Sequence, residues 1–274
     1  MRESIKSYLP ARLVRALRDR RDAWQRAREW PAARLHPWRR ESLRRLTTLR
    51  DSRRGERCFI IGNGPSLKLI DLARLRGEFT FGMNRVYLAF PEWGFQTSCL
   101  VSVNSLVIEQ CAAELRGLDL PKFFSWRSRD LLYPPGGEVP DRHTHFLHTT
   151  YTGPRFAKDV RGRLWEGATV TYVCLQLAFH LGFQTAILIG VDHSFSTQGI
   201  PNTTIVSQGD DPNHFAPEYF GKGFRWQLPD LDTSEAGYRL ARRAYEQAGR
   251  RIVDATAGGQ LNVFEKVNYK TLFD

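Results

Sequence analysis

A short apolar run, Cys58-Phe59-Ile60-Ile61, stops at Gly62-Asn63-Gly64-Pro65-Ser66-Leu67 and gives way to Leu69-Ile70-Asp71-Leu72, which has helical character. Strand, glycine turn and helix start in that order open an α/β unit. Pro65 suits a first helical turn, where its missing N–H is no loss, and Gly62 and Gly64 let the backbone come close to a ligand. Amides at such a helix end attract phosphate, the plainer alternative being a tight turn that holds nothing. A second, longer run, Thr185-Ala186-Ile187-Leu188-Ile189-Gly190-Val191-Asp192, is apolar almost throughout, which suits a parallel strand covered on both faces. It follows a buried-helix pattern that begins near Ala168 and closes at Gly182. Further strands are expected at 79–83, 99–103 and 251–256, with a helix at 238–248. The expected fold is therefore α/β and Rossmann-like, a mostly parallel sheet with helices on both faces and a lid loop, over residues 55–274.

Residues 1–54 differ in character. They hold 17 Lys and Arg against 6 Asp and Glu, the whole formal excess of +11, so the rest of the chain is neutral. Leu9, Leu13, Val14, Leu17 and Trp24 recur near a 3.6 period among arginines, as in a basic amphipathic helix. Such an arm fits an anionic membrane surface, and equally fits docking on the protein's own body or on a second subunit of a homo-oligomer. No nucleic-acid fold signature accompanies the charge, so nucleic acid is not an expected partner. No apolar run is long enough to span a bilayer, and Arg12, Arg15 and Arg18 interrupt any secretory core, so a cytoplasmic chain is expected, peripheral on the inner membrane face if the arm binds lipid. The four cysteines lie far apart without a C-x-x-C pair, which implies neither zinc nor a disulfide.

Three expected strands end in asparagine: Asn63, Asn84 and Asn104. In an open α/β sheet, ligands bind beyond the carboxyl ends of the strands, so three amides there make a neutral rim suited to a nucleotide's sugar and base, although each alone is a common turn former. No Gly-Lys-Ser/Thr follows the turn, Leu67 stands where a dinucleotide fingerprint needs its third glycine, and Asn84 stands in place of a ribose-binding acid. These departures exclude a P-loop and a dehydrogenase. Asp192 and His193 fall at the same sheet edge, and His180 belongs to packing. Residues 195–226 read as a long lid, with His214 set between Asp211-Pro212-Asn213 and aromatics, where an imidazole can move a proton. Asp230-Leu231-Asp232 matches a metal-binding D-x-D, but the following Thr233-Ser234-Glu235 makes the segment a helix cap. Thr256 with Gly258 and Gly259 forms either a second anion-holding turn or a plain loop.

The Ile-Ile-Gly62-Asn63-Gly64-Pro65-Ser66-Leu67 motif, Asn84, Asn104, the block 169–192 and Asn213-His214 together resemble two related groups. One is the family 42 glycosyltransferases, which use CMP-sialic acid; the other is the MptE-like group of 6-hydroxymethylpterin pyrophosphokinases, to which the wording of residues 56–273 is closer. The first resemblance implies nucleotide contacts from Asn63, Asn84, Asn104 and Thr169, with His214 as general base. Ser194 stands where those enzymes carry a tyrosine that assists the leaving phosphate, so donor identity stays open. The candidate nucleotide-binding set is thus Gly62, Asn63, Gly64, Ser66, Asn84, Asn104, Thr169, Asp192 and Thr256, with His214 catalytic and no metal ligand. The expected activity is a metal-independent transfer from a nucleotide-sugar donor, a CMP-sugar before others, to a glycan acceptor in surface-polysaccharide assembly. The alternatives are an ATP-dependent diphosphokinase acting on a pterin-like alcohol, for which Asp192, Asp210 and Asp211 would hold Mg²⁺, and a non-catalytic nucleotide-binding protein.

Overall fold

The computed structural model describes residues 11–274, so Leu9, and the side chain of Val14, lie outside the described residues. In chain order the elements are α1 (Ala11–Leu35), α2 (Pro37–Leu49), β1 (Arg57–Ile61), β2 (Thr80–Met83), α3 (Phe90–Trp93), β3 (Cys99–Ser102), α4 (Ser105–Gln110) and α5 (Ala112–Gly117). They continue with β4 (Lys122–Ser125), α6 (Arg129–Leu132), β5 (Thr144–Thr150), β6 (Arg163–Trp165), α7 (Val170–Leu181) and β7 (Thr185–Ile189). The last are β8 (Thr204–Val206), β9 (Arg225–Gln227), α8 (Leu231–Glu246), β10 (Arg251–Asp254) and β11 (Glu265–Lys266).

Nine strands make one sheet in the order β11-β10-β7-β1-β2-β3-β4-β5-β6, and every pairing in it is parallel. The architecture is α/β and Rossmann-like. From β1 the chain steps outward to β6, then returns through α7 to lay β7 on the other side of β1. The order reverses there, and beyond such a reversal the connections part and leave a crevice. Both faces are covered by apolar clusters, one built on α7 and α8, the other on the 3₁₀ turns after β1, the lid aromatics and the short helices. Residues 171 to 181 of α7 are all buried, which explains why this helix shows no polar face.

The outer strands β4, β5 and β6 were not legible in the sequence, because they carry polar side chains whose partners come from elsewhere. Lys122 in β4 is fully buried, yet its ammonium donates to Asp141 Oδ2 at 2.8 Å, Leu118 O at 2.7 Å and Arg116 O at 3.0 Å. Three donors meet three acceptors, which offsets the loss of water. α2 lies against β5, with Leu46 in the core and Ser42 Oγ accepting from Phe146 N at 2.9 Å. His180 is indeed a packing residue, bonded through Nε2 to Leu46 O at 2.8 Å. All four cysteines are buried and free.

α1 is turned opposite to what its apolar stripe suggests. Leu13, Leu17, Trp24 and Leu35 share one side and are exposed, Trp24 at 61% and Leu35 at 67%. The buried side carries Asp22 and Arg26. Asp22 Oδ2 accepts from Thr150 Oγ1 at 2.8 Å and Thr152 Oγ1 at 2.7 Å, and Arg26 donates to Thr149 O. Among the described residues, then, α1 docks through these hydrogen bonds and Ala33 and leaves its apolar stripe outside, while α2 packs Leu46 into the core. No described helix is long and apolar enough to cross a membrane.

The segment expected as an irregular lid is more ordered than its composition suggests. β8 and β9 pair antiparallel as a ribbon, and Phe215, Tyr219, Phe220 and Trp226 pack into the core.

Candidate functional site

A cavity of about 300 Å³ opens at the β1/β7 reversal, lined by the carboxyl ends of β1, β2, β3 and β7, the start of α7 and the lid. Eight sequence-derived candidates meet there: Gly62, Asn63, Gly64, Asn84, Asn104, Thr169, Asp192 and His214. Ser66 and Thr256 do not line it. Thr256 Oγ1 accepts from Val191 N at 3.2 Å and so pins the end of β7 to the end of β10, a structural role in keeping with the plain-loop alternative for this turn.

The glycine turn also differs from expectation. Pro65–Leu69 is a five-residue 3₁₀ turn, and its first donors are already used. Asp192 Oδ1 accepts from Ser66 N at 3.2 Å and Oδ2 from Ser66 Oγ at 2.7 Å, while Gly62 N and Gly64 N donate to Ile189 O and Gly190 O. A carboxylate of the protein thus occupies the place a phosphate would take. The glycines serve close packing: a Cβ on Gly62 would fall 2.1 Å from Gly190 O, and one on Gly64 would fall 1.7 Å from Asp192 Oδ2. Burial raises the Asp192 pKa, with the Ser66 bonds acting the other way.

The helix end that does face the cavity is that of α7. Thr169, its N-cap, makes no side-chain cap bond, and Thr169, Val170 and Thr171 all line the cavity. The chain reaches this point through Gly167 and Ala168, both at positive φ, a tight turn that is strained for the alanine. A little over three turns of aligned, buried peptide dipoles end here without an acidic residue in the first turn, which makes this the anion-attracting end of the site.

Each rim asparagine also has a local structural role. Asn84 sits at φ +49, a conformation asparagine tolerates, and Ser102 Oγ bonds its Oδ1 at 3.0 Å. Asn104 caps α4 through Oδ1, accepting from Leu106 N at 2.9 Å. Asn63 donates from Nδ2 to Met83 O at 3.2 Å, and its Oδ1 is buried with no partner. Such an oxygen on a cavity wall is ready to accept from a ligand hydroxyl or amine.

His214 is held rather than mobile. Its Nδ1 lies 2.6 Å from Asp211 Oδ2, and its ring stacks on Tyr219 at 4.1 Å between centroids. A carboxylate only accepts, so Nδ1 carries a proton, and in the neutral ring the lone pair is therefore on Nε2. The Asp211 side chain, 2% exposed, is itself fixed by Asn213 N at 2.8 Å and Phe220 N at 3.1 Å. Asn213 bonds Ser196 and Thr197, and Phe215 N donates to Asn63 O at 2.8 Å, which ties the lid to the end of β1.

No family model matches the sequence, and no curated protein matches it. Among solved structures, the chain is similar to the MAf glycosyltransferase from Magnetospirillum magneticum AMB-1, with a TM-score of 0.47 and 15% identity over 84% of this chain and 38% of that one. It is also similar to a mammalian sialyltransferase in complex with Gal-beta-1-3GalNAc-ortho-nitrophenol, with a TM-score of 0.37 and 10% identity over 86% of each chain. The chain spans little more than a third of the bacterial glycosyltransferase's length. Neither likeness assigns a role to a residue.

Sequence reasoning missed Glu166 and the partnership of Asp211 with His214. Glu166 lines the cavity one turn before α7, and burial pushes its carboxyl up to about 7 against the pull of Arg127. Asp230, from the D-x-D, caps α8 by accepting from Thr233 N at 3.0 Å, so the cap lies two residues earlier than Asp232. Among the described residues, no group of three or more His, Cys, Asp or Glu is gathered for a metal ion. Asp192 and Asp211, which a diphosphokinase would give to Mg²⁺, are engaged by Ser66 and His214.

Proposed function

We propose that the protein is a transferase that moves a sugar from a nucleotide donor, a CMP-sugar before others, to a glycan hydroxyl, with His214 as general base. The observation that carries this reading is the His214–Asp211 pair at 2.6 Å on the wall of the cavity. Nε2 would take the acceptor's proton as its oxygen attacks the anomeric carbon, and Asp211 would stabilise the imidazolium that results. The bond to phosphate breaks with its electron pair leaving on the phosphate, toward the start of α7. Lid aromatics, already packed, keep water from competing.

The lining supports a donor of low charge. No Lys or Arg is among the described residues that line the cavity, whereas Asp192, Asp230 and Glu166 are. A single phosphodiester can be held by amides and a helix end. A triphosphate needs cationic clamps, so the lining favours sugar transfer over the diphosphokinase chemistry of an MptE-like enzyme. We further propose that the outward stripe of α1, flanked by arginines, rests on an anionic membrane where a glycan acceptor would be assembled.

The test is a thermal-shift panel of CMP, CDP, UDP, GDP and ATP with and without Mg²⁺. Stabilisation by CMP alone or by CMP most strongly is expected. A Mg²⁺-dependent ATP signal without a CMP signal would overturn the reading in favour of the diphosphokinase.

A further inference from the structure

Glu166 is the least conventional group in the cavity. Its residue exposure is 6%, it is among the residues that border the cavity, and its Oε1 is buried without a hydrogen-bond partner. A buried carboxylate normally collects two or three donors. This one sits at the turn that delivers Thr169, and its own backbone O accepts from Thr169 N at 3.2 Å, so it stands beside the anion-attracting end of α7. The placement looks contradictory, because an ionised carboxylate there would repel the phosphate that the helix end attracts.

Protonation removes the contradiction. We propose that Glu166 acts as a neutral carboxylic acid that donates its proton in a hydrogen bond to an anionic oxygen of the bound nucleotide's phosphodiester at the start of α7. This assignment rests on the nucleotide-transferase reading and names the group that takes over the contact a Lys or Arg would make elsewhere. The donated proton stays on the Glu166 carboxyl while ligand is bound, so no covalent bond is made or broken. Burial already favours the neutral form, with the carboxyl at about 7. The charged groups around it are Arg127, Arg26 and Asp22, with the Tyr151 phenol also near; Arg127, the Thr149 hydroxyl and Arg26 favour ionisation, and burial and Asp22 oppose it. Arg26 and Asp22 come from α1, so the arm helps set the proton affinity of the site.

The test measures binding of cytidine 5′-methyl phosphate, a phosphodiester that does not titrate near neutrality, by isothermal calorimetry from pH 5.5 to 8.5. The wild-type protein is expected to lose affinity above about pH 7, approaching tenfold per pH unit. In Glu166→Gln, whose amide is a permanent donor, affinity should be flat across that range once the part of the wild-type slope that His214→Ala abolishes is subtracted. Calorimetry of the wild type at pH 7.8 in two buffers of different ionisation enthalpy should show uptake of close to one proton on binding, a reading that does not depend on the variant's folding. Binding without proton uptake, or an unchanged slope in Glu166→Gln, would overturn the assignment while leaving the nucleotide reading intact. Absence of binding at every pH would instead defeat that reading, and this assignment with it.

Discussion

Replacing Gly64 by alanine separates two meanings of the Gly-Asn-Gly-Pro-Ser motif. If the glycine is there for a ligand, the alanine variant folds normally and loses nucleotide affinity. The structure says otherwise: Gly64 has φ −71, which alanine adopts freely, so the whole penalty is steric, and the new Cβ would lie 1.7 Å from Asp192 Oδ2 and 2.9 Å from Gly190 O. The Asp192 carboxylate must swing away and release Ser66 N and Oγ, which stay buried. Two lost bonds to a charged acceptor, at about 1.5–3 kcal/mol each, give a destabilisation of roughly 3–6 kcal/mol. In a chain of this size that lowers Tm by about 6–20 °C. Asp192→Ala, which loses the same two bonds, should itself cost about 3–6 kcal/mol, but in its background Gly64→Ala should cost only about 1 kcal/mol, because the only close approach left is the 2.9 Å one to Gly190 O. Urea denaturation of the four proteins completes the cycle. A cost for Gly64→Ala below about 1 kcal/mol in the wild type, or an equal cost in both backgrounds, would refute the packing argument and restore the phosphate-binding one.

Three other outcomes follow from the geometry. His214→Ala should lower turnover by roughly 10²–10⁴ while nucleotide affinity stays within a few-fold, and Asp211→Asn should do nearly the same through the wrong tautomer; normal turnover in either would remove the pair from the chemistry. Burial pulls His145 and His148 down to about 4, helped for His148 by Arg26 and Arg39. The unfolded chain protonates these rings near 6.5, so their contribution to stability is complete above that pH and is lost as pH falls toward 4. His148→Gln should therefore show a shallower decline of unfolding free energy between pH 6.5 and 4 than the wild type, and parallel curves would contradict the burial argument. Leu17→Asp with Trp24→Asp should abolish sedimentation with phosphatidylserine vesicles at unchanged Tm, since both side chains are exposed; retained sedimentation would place the contact elsewhere. Deleting residues 1–54 is the poorer test, because it removes the buried Ser42 and Leu46.

The strands that could be read from the sequence, β1, β2, β3, β7 and β10, are those covered on both faces, where only apolar side chains fit. β5, Thr-His-Phe-Leu-His-Thr-Thr, hides its nature because Asp22, Ser42 and Tyr133 supply partners from other elements. The asparagine rim and His214 were legible because they stand next to turns and apolar runs. Glu166 was not, since a lone acid between Trp165 and Gly167 acquires meaning only when folding strips it of water. The orientation of α1 could not be read either, because periodicity reveals a stripe and not which side finds hydrogen bonds.

The link from Phe215 N to Asn63 O has a consequence for traffic into the cavity. With the segment that carries His214 stitched to the end of β1 and Asn213 anchored by Ser196 and Thr197, that stretch is a fixed jamb. The two-stranded ribbon of β8 and β9 forms the facing side of the opening, bordering it with Trp226 and Gln227 and, just past its end, Leu228, while its outer residues are exposed. Whatever passes the ribbon therefore meets an imidazole whose direction is already fixed by the Asp211 carboxylate and the Tyr219 ring.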